Sequence, residues 1–154
     1  MGDRGNIAVI NKKWNSDKYE GIFLYSHWGG QRLEATARKA VANSNRIGDP
    51  SYLTRAIFCN MIADSFRNEV IDKMGSEIIE IEKSRSELDT EFFINMVDEF
   101  MDDLGYGIST QGAGDQNNPT VVVDADTGEI WTDEKRPTSV EEIIANRLDS
   151  LSTV

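Results

Sequence analysis

Ten residues constrain this 154-residue chain more than any others: Gly21-Ile-Phe-Leu-Tyr-Ser-His-Trp-Gly-Gly30. Side chains alternate along a strand, so Ile22, Leu24, Ser26 and Trp28 share one face, and Phe23, Tyr25, His27 and Gly29 the other. Both faces stay mostly apolar until the last residues. Water would otherwise meet Phe23 or Leu24, so the run predicts a central strand covered on both sides. Polarity appears at its carboxyl end, where the chain's single histidine, an indole and a double glycine stand together before a helical pattern begins.

The chain is about one domain long, and a domain of this size buries roughly two-thirds of its unfolded surface without disulfides or metals. Its one cysteine, Cys59, lies in an apolar helical pattern, so no intramolecular disulfide forms and a buried thiol in a reducing compartment is expected. No stretch of about twenty apolar residues occurs, which argues against secretion and membrane spanning. The net charge of −11 is uneven: residues 1 to 60 hold nine Lys/Arg against five Asp/Glu, and residues 61 to 154 seven against twenty-two. An acidic chain repels a phosphate backbone, so direct nucleic-acid binding is not expected. The same charge suits either a solvated helix face or contact with a partner's basic surface.

Residues 5–10 read as a strand, and the polar segment Asn11 to Glu20, with Trp14 as its aromatic, joins it to residues 21–28 in a hairpin. Trp14 either folds back on the core or marks a contact surface. Leu33, Ala37, Ala40 and Val41 repeat at helical spacing from Gln31 to about Asn43. A turn follows, and Asp49-Pro50 starts a second helix with the stripe Leu53, Ile57, Phe58, Met61 and Ile62. Val70, Ile71, Met74 and Ile78 to Ile81 read as helix interrupted at Gly75, although Glu77 to Glu82 has strand character. Asp89 caps another helix, apolar at Phe92, Phe93, Met96, Val97 and Phe100, and ended by Gly105. Tyr106 to Thr110 and Thr120 to Asp124 are β runs separated by a Gly/Asn-rich loop, and Asp126-Thr-Gly128 turns the chain into Glu129-Ile-Trp131. Ser139 and Glu142 form a capping box for a closing helix with Val140, Ile143, Ile144, Leu148 and Leu151. The fold expected is α+β: one domain, residues 1–154, with a mainly antiparallel four-stranded sheet from two hairpins, 5–28 and 106–131, packed by helices. Residues 65–103 are expected to be acidic and helical.

No phosphate-loop, dinucleotide, zinc or nucleophile-elbow pattern is present. With one cysteine and one histidine the chain cannot assemble a Cys/His zinc site alone, and the Asp124/Asp126 turn lacks the distal glutamate of a calcium loop. No catalytic set, metal or cofactor is therefore assigned. Two surfaces remain. The first is the corner of Arg4, Tyr25, Ser26, His27, Trp28, Gly29, Gly30 and Arg32. There free amides at the helix start would take a phosphate, an aromatic ring would stack on a base, and an arginine would supply counter-charge. The second is the acidic face Glu91, Asp98, Glu99, Asp102 and Asp103, suited to a protein partner. A bland reading stands beside each: a hydrogen-bonded core histidine, a core tryptophan and plain turn glycines in the first case, a solvating face in the second. A hydrolase or lyase with His27 as base ranks last, since Ser26 and His27 point to opposite faces.

Gly2-Asp-Arg-Gly-Asn-Ile7, Leu24-Tyr-Ser-His-Trp-Gly-Gly30, Asp49-Pro-Ser-Tyr-Leu53 with Ile57-Phe-Cys59, and Gly105-Tyr-Gly-Ile-Ser109 with Val121-Val-Val-Asp124 occur as separate blocks. In these blocks, about half its length, the chain resembles a family of small uncharacterised phage and prophage proteins; residues 65–103 fall outside them, which implies an acidic helical insertion there. The resemblance implies context and no catalytic residues. In that context the expected function is a phage accessory protein that binds and inhibits a host factor, of the antiviral-defence class, in the cytoplasm of the infected cell. The alternative is a binder that sequesters a nucleotide-like signal. No membrane contact is expected, and the sequence is compatible with a homo-oligomer.

Overall fold

The computed structural model describes residues 2–65 and 105–152. The chain divides into two compact units, Met1–Asn60 with Gly105–Val154, and Met61–Leu104. The expected insertion at 65–103, its helix-or-strand alternative and the acidic face from Glu91 to Asp103 lie, apart from Ser65, outside the described residues.

The first unit is an α+β fold on a five-stranded sheet. In chain order its elements are β1 (Gly5–Lys12), β2 (Tyr19–Ser26), a 3-10 turn (Gly30–Arg32), α1 (Leu33–Ala42), α2 (Pro50–Ser65, which runs on into the second unit), β3 (Tyr106–Ser109), β4 (Thr120–Asp124), β5 (Ile130–Asp133) and α3 (Val140–Ser152). The sheet order is β3-β2-β1-β4-β5. Every neighbouring pair is antiparallel except β1 and β4, which run parallel with Ile7 beside Val121.

The expected four-stranded sheet of two hairpins is corrected here. Residues 5–28 do form a hairpin, in the register Gly5↔Ser26 to Lys12↔Tyr19. Residues 106–131 do not: β3 joins the outer edge of β2, β4 joins the far side of β1, and the hairpin formed is β4 with β5. The reason lies in β1. Ile7, Val9, Ala8 and Ile10 are buried on both faces, so this strand is central, and both of its edges need partners to satisfy their backbone groups. Because β3 and β4 point the same way, they cannot share a tight turn. Residues 110–119 instead carry the chain over β2 and β1, roughly 14 Å at ordinary strand spacing. This crossing is close enough to require glycine at its nearest approach: a Cβ on Gly112 would lie 2.9 Å from Phe23 and 3.0 Å from Asn6. Buried Asn6 holds the loop down, donating to the Ala113 carbonyl (3.2 Å) and accepting from its amide (3.3 Å).

Helices cover both faces. Leu33, Ala37, Ala40 and Val41 of α1 and Leu53 and Ile57 of α2 are buried on the side of Ile7, Val9 and Leu24, and Phe58 meets Tyr106 edge to face at 6.4 Å. On the other side Val140 and Ile143 of α3 pack on Ala8, Ile10, Phe23 and Val122, bordered by Tyr19 and Trp131. The expected caps are in place. The Tyr52 amide reaches Asp49 Oδ1 (3.4 Å), and the Glu142 amide donates to Ser139 Oγ (3.2 Å) while Glu142 Oε2 accepts from the Thr138 amide. Cys59 is exposed, contrary to the expectation of burial, because it falls outside the Leu53–Ile57 stripe of its helix.

Candidate functional site

The corner at the end of β2 is built by continuing the register of the first hairpin. Gly5 faces Ser26, so one step further Arg4 faces His27. Tyr25 and His27, two apart on a strand, emerge on the same side. The Tyr25 hydroxyl lies 2.9 Å from His27 Nδ1, and Arg4 Nε donates to the same nitrogen at 3.4 Å. A guanidinium can only donate, so Nδ1 is the accepting nitrogen, and the proton of the neutral ring is assigned to Nε2 beside Gly2. Arg4 Nη1 also pairs with Asp115 Oδ2 at 3.0 Å, which brings the crossing loop into the corner.

His27 is half-buried rather than sealed, and Trp28 is 50% exposed, so the core reading of the indole is not realised. Its ring stands edge-on to the imidazole at 4.5 Å. Beneath it Gly105 fits closely, since a Cβ there would come within 3.0 Å of the indole, and the Gly105 carbonyl accepts from the His27 amide at 2.7 Å. The result is an indole backed by protein on one side and open to water on the other.

The double glycine does allow a close approach, but the visitor is the chain's own amino-terminal segment. The Gly30 amide donates to the Asp3 carbonyl (2.8 Å), the Gln31 amide to Asp3 Oδ2 (3.3 Å), and the Arg32 amide to the Gly29 carbonyl (3.0 Å). The amides expected to cradle a phosphate are therefore taken, two of them by Asp3, whose carboxylate occupies the place an anion would fill. Asn118 completes this clasp, donating to Asp3 Oδ1 (2.6 Å) and to the Arg4 carbonyl (2.8 Å), while the Arg4 amide donates to Asn117 Oδ1 (2.7 Å). Arg32 turns back against Gly29, where φ is +77°.

Ser26 is fully buried, and its hydroxyl donates to the Trp28 carbonyl. It faces away from His27, so the nucleophile–base pair a hydrolase would need is not assembled by these two residues. The carboxylates of the Asp124/Asp126 turn serve the backbone: Asp124 Oδ1 accepts from the Asp126 amide and Asp126 Oδ2 from the Lys12 amide, both at 2.9 Å. Among the described residues no group of three or more His, Cys, Asp or Glu side chains is placed to hold a metal ion.

Of the eight residues assigned to this corner, Arg4, Tyr25, His27 and Trp28 come together. Gly29, Gly30 and Arg32 form the adjoining clasp, and Ser26 turns inward. Asp115, Asn117, Asn118 and Gly105 belong to the corner as well and were not indicated by their sequence surroundings. The one available signal was the density of Asn, Asp and Gly between 111 and 119, which also describes an ordinary loop. Among the described residues no helix is long and apolar enough to cross a membrane. Comparison with protein-family models, with curated proteins and with solved structures finds no match for this chain.

Proposed function

We propose that this protein works by binding another protein, as a phage accessory factor that occupies and inhibits a host component of antiviral defence in the cytoplasm of the infected cell. The observation that carries the reading is the half-exposed Trp28, packed edge-on against His27 and close over Gly105, with the Arg4 guanidinium bonded to that same imidazole. Tryptophan and arginine are enriched at the energetic centres of protein interfaces, and an indole already packed on its own protein loses little conformational freedom on docking. The phage context comes from the sequence blocks alone. Sequestration of a nucleotide is the weaker reading because Asp3 already fills the anion position at the Gly30–Gln31 amides.

The test is the plating efficiency of defence-sensitive phages on bacteria that express this chain together with individual defence systems, joined to capture of the chain from the same cells. Rescue of plating is expected with at least one system, together with co-purification of one of its components. Trp28→Ala should lose both while keeping the parent's circular dichroism. Absence of rescue across the panel, or a fully active Trp28→Ala chain, refutes the proposal.

A further inference from the structure

At the opposite end of the sheet from Trp28, the β1–β2 hairpin ends in a six-residue tip, residues 13–18, that carries Trp14 93% exposed. A tryptophan so open to water offers a partner roughly 150–250 Å² of largely apolar surface. The tip is not loose. The Lys13 amide bonds to the Lys18 carbonyl (2.8 Å), the Lys18 amide to Ser16 Oγ (3.0 Å), and Asn15 adopts φ +54°. These bonds shape the backbone of the tip, from which the indole stands out into water.

Beside the base of that tip lies a cleft of about 280 Å³ between α3 and the sheet. Its apolar walls are Ile10, Tyr19, Trp131, Ile144, Leu148 and Leu151. Leu148 and Leu151 belong to the apolar stripe of α3, yet they remain 61% and 62% exposed. Knob and cleft share an edge: Lys12 Nζ stands 5.9 Å over the Tyr19 ring, and the Lys12 amide is bound by Asp126.

Their charges are opposite. Within residues 13–18 the tip carries Lys13 and Lys18 against Asp17. The cleft is rimmed by Asp124 and Glu129, with Asp126 next to them, against Arg147, which is stacked at 4.2 Å on Trp131 and paired to Glu129. We infer that the occupant of this cleft is Trp14 of a second copy of the chain, in a two-fold dimer in which each hairpin tip inserts into the other's cleft. An isologous arrangement follows from the adjacency of the two features, since a two-fold axis passing between a neighbouring knob and hole satisfies both contacts at once. Reciprocal insertion covers the two indoles and the four exposed leucines, and sets the basic tips against the acidic rims.

The test is sedimentation equilibrium of the full chain across micromolar to submillimolar concentration, with three variants. The wild type is expected to dimerise. Trp14→Ala, which removes the knob, and Leu148→Asp, which spoils the cleft at an already exposed position, should each weaken the dimer at least about thirtyfold, the effect of losing a central hot spot. An equimolar mixture of the two should recover part of the association, because one intact knob then meets one intact cleft. Lys13→Glu with Lys18→Glu should also weaken the dimer if the rims attract the tips. Circular dichroism identical to wild type separates lost association from lost folding, and Leu151→Asp replaces Leu148→Asp if the latter fails it. A wild type that stays monomeric, species that grow beyond a dimer, an unaffected Trp14→Ala or Lys13→Glu/Lys18→Glu variant, or a mixture that recovers nothing each overturns the inference.

Discussion

Replacing Gly30 by alanine tests whether the double glycine exists to let the amino-terminal segment lie on it. Gly30 does not have a positive φ, so the substitution carries no backbone strain and its effect is steric. The new Cβ would sit 2.5 Å from Asn118 Nδ2 and 2.9 Å from the carbonyl carbon and oxygen of Arg4. Asn118 can swing away only by giving up its bonds to Asp3 Oδ1 and the Arg4 carbonyl, at about 0.5–1.5 kcal/mol each. The Arg4 backbone cannot yield so easily, being fixed to Asn117 and to the start of β1, and such overpacking costs about 1–3 kcal/mol. Reduced freedom of the unfolded chain returns about 0.4–1 kcal/mol. The net expectation is a loss of about 1–5.5 kcal/mol, or a fall in Tm of about 2–22 °C for a chain of this length. Gly114→Ala is the matched control: no atom lies within 4 Å of its Cβ position, so it should be neutral or slightly stabilising. Urea titration followed by circular dichroism, with both variants measured beside wild type, decides the matter. If Gly30→Ala lies within about 0.5 kcal/mol of Gly114→Ala, the proposed role of the close contact is wrong.

Further predictions follow the same reasoning. Asn6→Ala, which releases the crossing loop from both bonds to Ala113, should lower stability by about 1–3 kcal/mol and raise amide exchange at Ala113 in particular, read by denaturation and hydrogen exchange. Ile57→Ala, at a fully buried position of α2, should cost about 2–5 kcal/mol in the same titration. Ser139→Ala removes the acceptor for the Glu142 amide at the start of α3 and should cost about 0.5–2 kcal/mol, visible as a lower urea midpoint. Cys59, being exposed, should react stoichiometrically with a thiol reagent in the folded protein without denaturant, and a protected thiol would contradict its placement.

Much of the first unit was legible in the amino-acid order because its strands and helices announce themselves locally. The two-faced apolar run from Ile22 to Tyr25, the Asp49-Pro50 start and the Ser139/Glu142 cap all depend on neighbours a few residues away, and each lies where local rules place it. The α+β class followed from the order of these elements. Strand pairing did not. Whether β4 turns back on β3 or travels to the far edge of β1 depends on which edge is left open in space, and residues 110–119 look alike in either case.

The site divides along the same line. Strand alternation alone separates Tyr25 and His27 from Ser26, and so sets the chain against a Ser26–His27 pair. Only the tertiary structure decided that Asp3 would occupy the amides after Gly29, that Asp115 and Asn118 would arrive from the crossing loop, and that Trp28 would face water instead of core. Those outcomes join residues 28 to 115 positions apart, and no propensity or spacing rule reaches that far, because the free energy that fixes them is set by which surfaces meet once the sheet has closed.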